Sequence, residues 1–401
     1  MMGLSHLPAR FALVNGRIVL PHAVVSGRAL LVEDGRIAGV PPLAELPAAT
    51  APVDVAGRLI TPGLVDIHIH GAQGRLFNEA TTEAFDSILR ANARRGVTSL
   101  LATTVTDTID NLVAVLDLAR EWISDPPAEG EDRAQLLGAH VEGPYFALAQ
   151  AGAQDPAHIR NPDDGTPARL LAYADIIRIF TYAPELPGAL ELTGRLVERG
   201  IVAAAGHSSA REEDVRPAID AGLRHMIHLW SAQSTITREG PWRKPGLLDV
   251  SLTDERLTGE IIADGKHLPP TLMRMAYKCL GPDRLCAVSD ATSGAGLPDG
   301  ARFRMGELEY DVCDGVGMVL DRTAFAGSTT LLNQMIAILV RDVGIPLPEA
   351  VRMASLTPAR VIGVAERKGS LEAGKDADIA IFDDDFNAWG VLIGGRVASG
   401  F

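Results

Sequence analysis

Both ends of the chain consist of short hydrophobic runs separated by residues typical of tight turns. In the first 60 residues these turns fall at Asn15-Gly16, Asp34-Gly35 and Ala56-Gly57. Asn-Gly and Asp-Gly pairs tolerate the positive φ angles of hairpin turns. The tail repeats the pattern, with hydrophobic runs at 379–382 and 391–393 before Gly394-Gly395. Neither end is long enough to bury a core alone. We therefore expect residues 1–60 and 364–401 to pair into one small β-domain.

Between these ends, residues 61–363 alternate short apolar runs with segments of helical spacing. This alternation predicts repeated βα units around a parallel sheet. The predicted strands are Leu64–His70, Thr98–Thr103, Gly138–Glu142, Ile176–Thr181, Val202–His207, His225–Leu229, Gly259–Ala263 and Leu285–Asp290, and two later helices are predicted at Thr329–Val340 and Pro348–Ile362. Eight strands in this length favour an α/β fold of the (β/α)8 barrel type. A doubly wound sheet is the alternative, but no glycine-rich phosphate fingerprint follows the first strand.

Composition and charge exclude several classes of protein. The 401 residues are 47% hydrophobic and 22% charged, which is typical of a globular protein rather than a disordered one. The net charge of −14 argues against a nucleic-acid scaffold, and no apolar run approaches the ~20 residues of a membrane span. Three scattered cysteines exclude a zinc site built from a cysteine cluster. Since no secretory signal is evident, we expect a cytoplasmic protein.

The first predicted barrel strand carries the sharpest chemical signal, Asp66-Ile67-His68-Ile69-His70-Gly71. Side chains alternate along a strand, so Val65, Ile67 and Ile69 are expected to face the surrounding helices. His68 and His70 then point into the barrel at its C-terminal mouth, where two imidazoles could hold one divalent ion. Two hydrogen-bonded core histidines are the alternative.

Further candidate ligands end other predicted strands. They are Glu142, followed by Gly143-Pro144, and then His207, His228 and Asp290. Each alone would more often be structural, but together with the first-strand histidines they converge on one rim. Nitrogen and oxygen ligands of this kind suit Zn²⁺, Fe²⁺, Co²⁺ or Mn²⁺, with Zn²⁺ preferred here. The sequence therefore predicts a divalent-ion site.

Such a centre indicates hydrolytic chemistry. A divalent ion lowers the pKa of bound water toward ~7 and polarises a carbonyl. Attack on an amide then needs a group that takes the water proton and returns it to the departing nitrogen, for which Asp290 is the best candidate. His267, past the seventh strand, could polarise the carbonyl or hold substrate hydroxyls; an ordinary loop histidine is the alternative.

These motifs resemble the amidohydrolase superfamily and, within it, the N-acetylglucosamine-6-phosphate deacetylase family. The resemblance covers nearly the whole chain. Its more specific motifs are His140-Val141-Glu142-Gly143-Pro144 and Ala205-Gly206-His207-Ser208, whereas the stretch 369–378 is shared widely across the superfamily.

The resemblance implies a barrel flanked by a β-sandwich made from both termini. It assigns Glu142, His207 and His228 to the main metal site, and His68 with His70 to a second ion that Glu142 would bridge. Asp290 matches the family's proton-shuttling aspartate and His267 its carbonyl-binding histidine. The family's reaction is hydrolysis of the N-acetyl group from an amino-sugar 6-phosphate, which releases acetate. The remaining substrate-binding positions that it implies are Ala153, Gln154, Ser231, Ala232, Arg238, Arg243, Phe325, Ala326 and Gly327.

The chain departs from the family pattern where the phosphate should bind. Trp230-Ser231-Ala232-Gln233 replaces Tyr-Asn-Ala-Met, and Gln154 stands where some members place a phosphate-contacting histidine. The family's phosphate-binding arginine comes from a partner subunit, so a homodimer is implied, and Arg238 and Arg243 are both claimants. An epimeric sugar phosphate such as N-acetylgalactosamine 6-phosphate, or an N-acyl amine without phosphate, remains an alternative substrate.

Two further functions compete with this interpretation. Many cyclic-amide hydrolases and deaminases use a carbamylated lysine on the fourth strand, but residues 176–180 contain no lysine. A non-catalytic barrel retained as an interaction scaffold would typically have lost ligands, whereas every candidate ligand is present here.

Overall fold

The computed structural model describes residues 7–125 and 131–400. Its first seven strands are β1 (Arg10–Val14), β2 (Arg17–Leu20), β3 (Ala23–Val25), β4 (Leu30–Glu33), β5 (Arg36–Gly39), β6 (Ala51–Asp54) and β7 (Leu59–Pro62). Four of them form a sheet of order β5-β4-β1-β6. Asn15 and Asp34 adopt φ angles of 57° and 47°, which confirms the turns predicted from the Asn-Gly and Asp-Gly pairs.

The middle of the chain forms a nearly closed barrel. Its segment contains β8 (Leu64–Asp66), β9 (Gly71–Ala72), β10 (Arg75–Leu76), β11 (Val97–Thr103), β12 (Gln135–Glu142), β13 (Ile177–Tyr182), β14 (Val202–Ala205), β15 (His225–Met226), β16 (Thr237–Glu239), β17 (Trp242–Lys244), β18 (Thr258–Ile262) and β19 (Leu285–Val288). Eight of these pair in parallel in the order β8-β11-β12-β13-β14-β15-β18-β19, which confirms the predicted barrel. The two ends meet where the Asp290 backbone N–H donates to the His68 carbonyl at 2.9 Å. The other four strands form the hairpins β9–β10 and β16–β17.

The α-helices lie mostly between the barrel strands. They are α1 (Thr82–Ala93), α2 (Ile109–Ser124), α3 (Pro167–Leu170), α4 (Ala189–Val197), α5 (Glu212–Ala221), α6 (Leu247–Thr253), α7 (Pro270–Leu280), α8 (Leu332–Ile338), α9 (Leu347–Met353) and α10 (Leu356–Val361). The helix predicted at Thr329–Val340 is shorter than expected and passes into a π-helical turn at Leu339–Val343. The single helix predicted at Pro348–Ile362 is two helices, α9 and α10, because Pro358 lacks an N–H and would clash with the carbonyl of Ala354 in a continuous helix.

A four-stranded antiparallel sheet follows the eighth barrel strand, and the hydrophobic pattern did not predict it. Its strands are β20 (Arg302–Met305), β21 (Leu308–Cys313), β22 (Val316–Val319) and β23 (Phe325–Ser328). It joins the barrel mouth where Ser328 N–H donates to the Asp290 carbonyl at 2.9 Å. Gly327 makes this approach possible, because a Cβ there would lie 2.7 Å from the Asp290 carbonyl oxygen.

The C-terminal strands complete a second sheet with strands from the N-terminus. They are β24 (Ile379–Phe382), β25 (Ala388–Ile393) and β26 (Arg396–Gly400), in a sheet of order β26-β25-β24-β7-β2-β3. One apolar cluster contains Phe11, Ile60 and Ile379 together, which confirms that the two ends share a core. The Lys368 ammonium, 2.6 Å from Asp378, also reaches the side chain of Gln135 at the start of β12 and so ties this sheet to the barrel.

The barrel interior is polar at the C-terminal mouth and apolar further from it. Val65, Leu101, Ile179 and Cys286 come from four different barrel strands and share one cluster, so they point inward. Ile67 belongs to the same cluster, but Ile69 packs in the main core instead. The predicted outward face of Val65, Ile67 and Ile69 is therefore wrong. Val65, within β8, and Ile67 both face the interior of the barrel, whereas Ile69 lies beyond the end of β8 at Asp66, where regular alternation stops. Within the described residues, no helix combines the length and apolar character of a membrane span.

Candidate metal centre and substrate pocket

Apart from Glu142, the last residue of β12, the candidate ligands lie just beyond the ends of the barrel strands rather than within them. His207, His228 and Asp290 each follow a strand by two residues, and their φ angles are 45°, 22° and 45°. Residues other than glycine rarely adopt positive φ, and each instance costs of order 1–3 kcal/mol. Such strain is concentrated at functional sites because the surrounding structure must hold it in place. Here it turns three side chains toward the mouth of the barrel.

Glu142 lies at the centre of the cluster. Its Oε1 is 3.2 Å from Nε2 of His207 and 3.1 Å from Nε2 of His228. Its Oε2 is 3.4 Å from Nε2 of His70, which in turn lies 3.1 Å from Oδ1 of Asp290. The two carboxylate oxygens therefore face different histidines. This is expected of a carboxylate that is shared between two metal sites.

The rings of three histidines are oriented by oxygen acceptors on the side away from the cluster. Nδ1 of His207 donates to the Gln150 carbonyl at 2.8 Å, and Nδ1 of His70 to the Thr103 carbonyl at 3.3 Å. Nδ1 of His68 donates to Oε2 of Glu260 at 2.8 Å. Carbonyl and carboxylate oxygens only accept, so each ring carries its proton on Nδ1 and presents Nε2 inward. This arrangement is typical of metal-binding histidines.

Two observations indicate that the cluster fits a divalent cation. Nε2 of His68 and Nδ1 of His228 are buried and lack a hydrogen-bond partner among the described residues. Ligand atoms 2.0–2.1 Å from a tetrahedral Zn²⁺ lie about 3.3–3.4 Å apart, close to the 3.1–3.4 Å separations around Glu142 and Asp290. The potential ligand atoms of His68, Glu142 and His228 lie within 4.8 Å of one another, and so do those of His68, His70 and Asp290. The donor set therefore fits the metal centre that the sequence predicts.

The cluster keeps its carboxylates ionised. Burial alone would raise the pKa of Glu142, but its close contacts with His207 and His228 hold it well below its usual value. Burial also opposes ionisation of Asp290, yet its bond to His70 and the nearby imidazoles lower its pKa. Negative charge is therefore maintained at the position where a cation would bind.

Sequence reasoning missed two acidic side chains that orient histidines of the site. Glu260 of β18 bonds His68, and Asp264 accepts from Nδ1 of His267 at 2.7 Å. Glu260 does carry a signal, because an acid within an apolar strand must find a partner when buried. Asp264 lies only three residues before His267, a spacing that a loop can close.

His140, which shares a strand with Glu142, is a structural histidine. Nδ1 donates to the Ile67 carbonyl at 3.1 Å, and Nε2 accepts from the Thr181 hydroxyl at 2.8 Å. Burial lowers the pKa of His140 to about 3, so the ring is neutral. Both ring nitrogens are occupied, which leaves none for an ion.

A cavity of about 280 Å³ opens above the cluster. Of the predicted substrate residues it is lined by His267, Ala153, Gln154, Ser231, Ala232, Phe325 and Gly327, together with Trp230. Ala326 instead packs its side chain in the core of the inserted sheet. The rings of His267 and Phe325 are in contact, with 4.8 Å between their centroids. Since Nδ1 of His267 bonds Asp264, its Nε2 is the nitrogen available to a ligand.

Gln154 lines this cavity but also contacts the candidate metal ligands. Its amide donates to Oε2 of Glu142 at 2.7 Å, and its carbonyl accepts from the backbone N–H of Thr106 at 2.7 Å. Both ends of the side chain are thus used within the protein.

The two candidate phosphate-binding arginines lie elsewhere. Arg238 and Arg243 are exposed cross-strand partners on the β16–β17 hairpin, and neither lines the cavity of its own chain. No lysine or arginine is among the described residues that line the cavity.

Two models of protein families match this chain. A model described as the amidohydrolase family matches residues 59–398, and one described as the NagA composite domain matches residues 10–60. An N-acetylgalactosamine-6-phosphate deacetylase of Escherichia coli O157:H7 is 32% identical, covering 96% of this chain and 98% of that protein. An N-acetylglucosamine-6-phosphate deacetylase of Haemophilus influenzae is 31% identical, with coverage of 96% and 99%.

Solved structures that are similar to this chain also include N-acetylglucosamine-6-phosphate deacetylases. An N-acetylglucosamine-6-phosphate deacetylase from Pasteurella multocida superposes with a TM-score of 0.90 at 30% identity, covering 97% of this chain and 99% of that one. A mutant of the Mycobacterium smegmatis enzyme, solved in complex with N-acetyl-D-glucosamine 6-phosphate, gives 0.88 at 31% identity, with coverage of 98% and 100%.

Proposed function

The chain belongs to the amidohydrolase family, and on that premise we propose that it hydrolyses the N-acetyl group of N-acetylglucosamine 6-phosphate to give glucosamine 6-phosphate and acetate. The observation that carries this proposal is the convergence of four imidazoles and two carboxylates beneath a cavity that holds a further oriented histidine, His267. An amide entering this cavity would meet both a hydrolytic centre and a carbonyl-binding group.

The proposed metal centre has two halves. Glu142, His207 and His228 would hold the main ion, and His68 with His70 would hold a second one next to Asp290. Zn²⁺ is the preferred ion for this set of nitrogen and oxygen ligands, with Fe²⁺, Co²⁺ and Mn²⁺ as alternatives. When bound, a divalent ion would supply water of lowered pKa and polarise the acetyl carbonyl.

Asp290 is the proposed proton shuttle. It lines the cavity, and its lowered pKa keeps the carboxylate free to accept a proton. One carboxylate oxygen would take a proton from the attacking water and pass it to the amide nitrogen as the C–N bond breaks. The products are acetate and a free amine, and Asp290 returns to its starting state.

His267 is the proposed partner of the acetyl oxygen. The bond from its Nδ1 to Asp264 fixes the ring, so Nε2 faces the cavity. If Nε2 carries a proton, it can donate to the oxygen on which negative charge develops.

The phosphate is proposed to bind across a homodimer. A chain of net charge −14 needs a local positive group for an anionic substrate, and its own cavity lining offers none among the described residues. The exposed hairpin with Arg238 and Arg243 could supply one to a second copy. Its Trp242 is 72% exposed, an apolar surface that a partner subunit would cover.

The test is a screen of N-acetylated amino sugars with and without 6-phosphate, in which released amine is measured. We expect N-acetylglucosamine 6-phosphate to react best, with Arg238→Ala or Arg243→Ala raising KM for the 6-phosphorylated substrates only. N-acetylgalactosamine 6-phosphate is the second candidate, since the E. coli relative acts on it by name. Equal rates with and without phosphate would remove the anion site from the proposal, and no release from any substrate would refute the deacetylase function.

We also propose that the chain divides into two domains, a β-sandwich of residues 1–60 with 364–401 and a barrel of residues 61–363. The pairing of β7 with β24 and the family-model boundary near residue 60 support this division.

A further inference from the structure

Glu260 is a buried carboxylate to which the proposed reaction gives no part. It lies on β18 opposite Cys286 of β19, and both point into the barrel. Its side chain is fully buried. Burying an ionised carboxylate is costly unless it is paired and hydrogen-bonded, so its partners show what it stabilises.

Those partners are histidines. One oxygen of Glu260 lies 2.8 Å from Nδ1 of His68, and the other lies 2.9 Å from Nε2 of His225. The backbone N–H of His228 also approaches the first oxygen, at 3.4 Å. Glu260 therefore contacts two residues of the candidate metal centre, one through its ring and one through its backbone.

The contact with His68 decides which ring nitrogen is available. A neutral imidazole has one N–H, and an ionised carboxylate can only accept, so the proton stays on Nδ1. Nε2 then keeps its lone pair and faces Oε1 of Glu142 at 3.7 Å and Oδ1 of Asp290 at 3.6 Å. It is buried and has no hydrogen-bond partner among the described residues. In the neutral ring that a metal requires, the lone pair of Nε2 would be offered to an ion lying near these two carboxylates.

Without Glu260 the ring could shift its proton. Nε2–H would then donate to Glu142 or Asp290, which is the favourable arrangement when no ion is bound. A ring in that state offers no lone pair to a metal.

We propose that Glu260 is a positioning residue that fixes His68 in its metal-binding tautomer, and thereby allows a second divalent ion to bind between His68, His70 and Asp290. The inference rests on the proposed metal centre but not on the identity of the substrate. It predicts that loss of Glu260 affects the two halves of the centre unequally. Glu260 bonds the ring of His68, whereas in the main site it approaches only the backbone N–H of His228, at 3.4 Å, and not its ring.

The test measures metal binding in the full chain. Wild type, Glu260→Gln and the matched control Glu349→Gln are titrated with Zn²⁺ in competition with a chelator, and retained zinc is counted by mass spectrometry. Glu349 is a half-buried carboxylate on α9 that accepts from the Tyr277 hydroxyl and contacts no candidate ligand.

We expect wild type and Glu349→Gln to bind two ions. Glu260→Gln should keep one at wild-type affinity and bind the other about 10- to 100-fold more weakly, the usual cost of removing a partner of a metal-binding histidine. Glu260→Asp, which restores the charge, should recover part of that loss. Two ions bound with wild-type affinity by folded Glu260→Gln, or a single ion bound by wild type, would overturn the proposal.

A second measurement does not depend on the folding of any variant. In wild-type protein with ring-¹⁵N-labelled histidine and bound Zn²⁺, His68 should show a protonated, hydrogen-bonded Nδ1 and a metal-bound Nε2. Its signal is assigned by its absence from His68→Asn. An unprotonated Nδ1 would also overturn the proposal. Because neither experiment uses a sugar, failure of the deacetylase function would be seen separately, in the amine-release assay.

Discussion

Replacing Asp290 by Asn tests the proposed proton transfer directly. The amide has nearly the same shape as the carboxylate, and its oxygen can still lie near Nε2 of His70, 3.1 Å away in the wild type. It cannot, however, accept a proton from water and pass it on. The substitution therefore removes the chemistry while leaving most of the packing, since the side chain is buried and its backbone is held by His68 and Ser328.

The expected fall in kcat follows from the proposed role of Asp290 as a general base and acid. General acid–base catalysis contributes about 10²- to 10⁴-fold, equivalent to about 2.7–5.4 kcal/mol in the activation barrier. We expect kcat to fall by that factor with little change in KM, because Asp290 acts in the transition state rather than in binding. The ion that we propose is held by Glu142, His207 and His228 should be retained, since none of their contacts with one another involves Asp290.

The assay combines amine-release kinetics with metal analysis of the same protein preparation. Asp342→Asn, at an exposed position, is the matched control and should behave as wild type. Near-normal kcat in a folded, metal-loaded Asp290→Asn variant would refute the assignment of the shuttle. Loss of all metal together with activity would instead show that Asp290 is needed chiefly as a ligand.

Four other predictions address the site and its support. His267→Ala should lower kcat by about 10²- to 10³-fold, which is the usual cost of removing a donor to a developing oxyanion, and Asp264→Asn should lower kcat less. Steady-state kinetics measures both effects, and wild-type rates in both variants would contradict the proposed role of His267. Gly327→Ala should destabilise the barrel mouth and reduce kcat, because its Cβ would lie 2.7 Å from the Asp290 carbonyl oxygen at a φ of +64°. Thermal unfolding and steady-state kinetics measure these effects, and an unchanged unfolding temperature and kcat would contradict the prediction. Lys368→Met should cost about 3–5 kcal/mol in urea unfolding, because it removes the charged partner of the buried carboxylate of Asp378 and leaves it only the backbone N–H of Gly394. Asp376 keeps Arg36 and Arg367, and a loss below about 1 kcal/mol would refute the argument. Chelators should strip the metal faster at about pH 5.5 than at about pH 7.5, because a protonated imidazole cannot bind the ion. Burial opposes the charged form of His68 and His228, but the neighbouring carboxylates raise the pKa of both rings, so protons compete for them as the pH falls. Metal loss that is independent of pH would argue against histidine ligands.

The barrel and its strand-end residues could be predicted because the relevant signals are local. An apolar run that ends in His, Glu or Asp and then a turn identifies both a strand and the side chain presented at its mouth, as at Glu142 before Gly143-Pro144. The Asn-Gly and Asp-Gly turns at the N-terminus were predictable for the same reason.

Other features had no local signal of sufficient strength. The strands β20–β23 are short and partly exposed, so their hydrophobic pattern is weak. The break between α9 and α10 depends on one proline in an otherwise regular helical pattern. The outward face predicted for Ile67 failed because the apolar face of β8 packs inside the barrel with Val65, and both faces of a buried strand can be apolar.

The amino-acid sequence alone determined the order of the strands, the residue types at the barrel mouth and the pairing of the two ends, because each follows from periodicity, chain length and the need to bury apolar surface. Only the tertiary structure decided which groups orient the histidines. Glu260 is 192 residues from His68 along the chain, and the contact exists because barrel closure brings the first and seventh strands to the same interior. Hydrogen bonds between distant strands depend on side-chain direction and register in the assembled barrel, which no local pattern records.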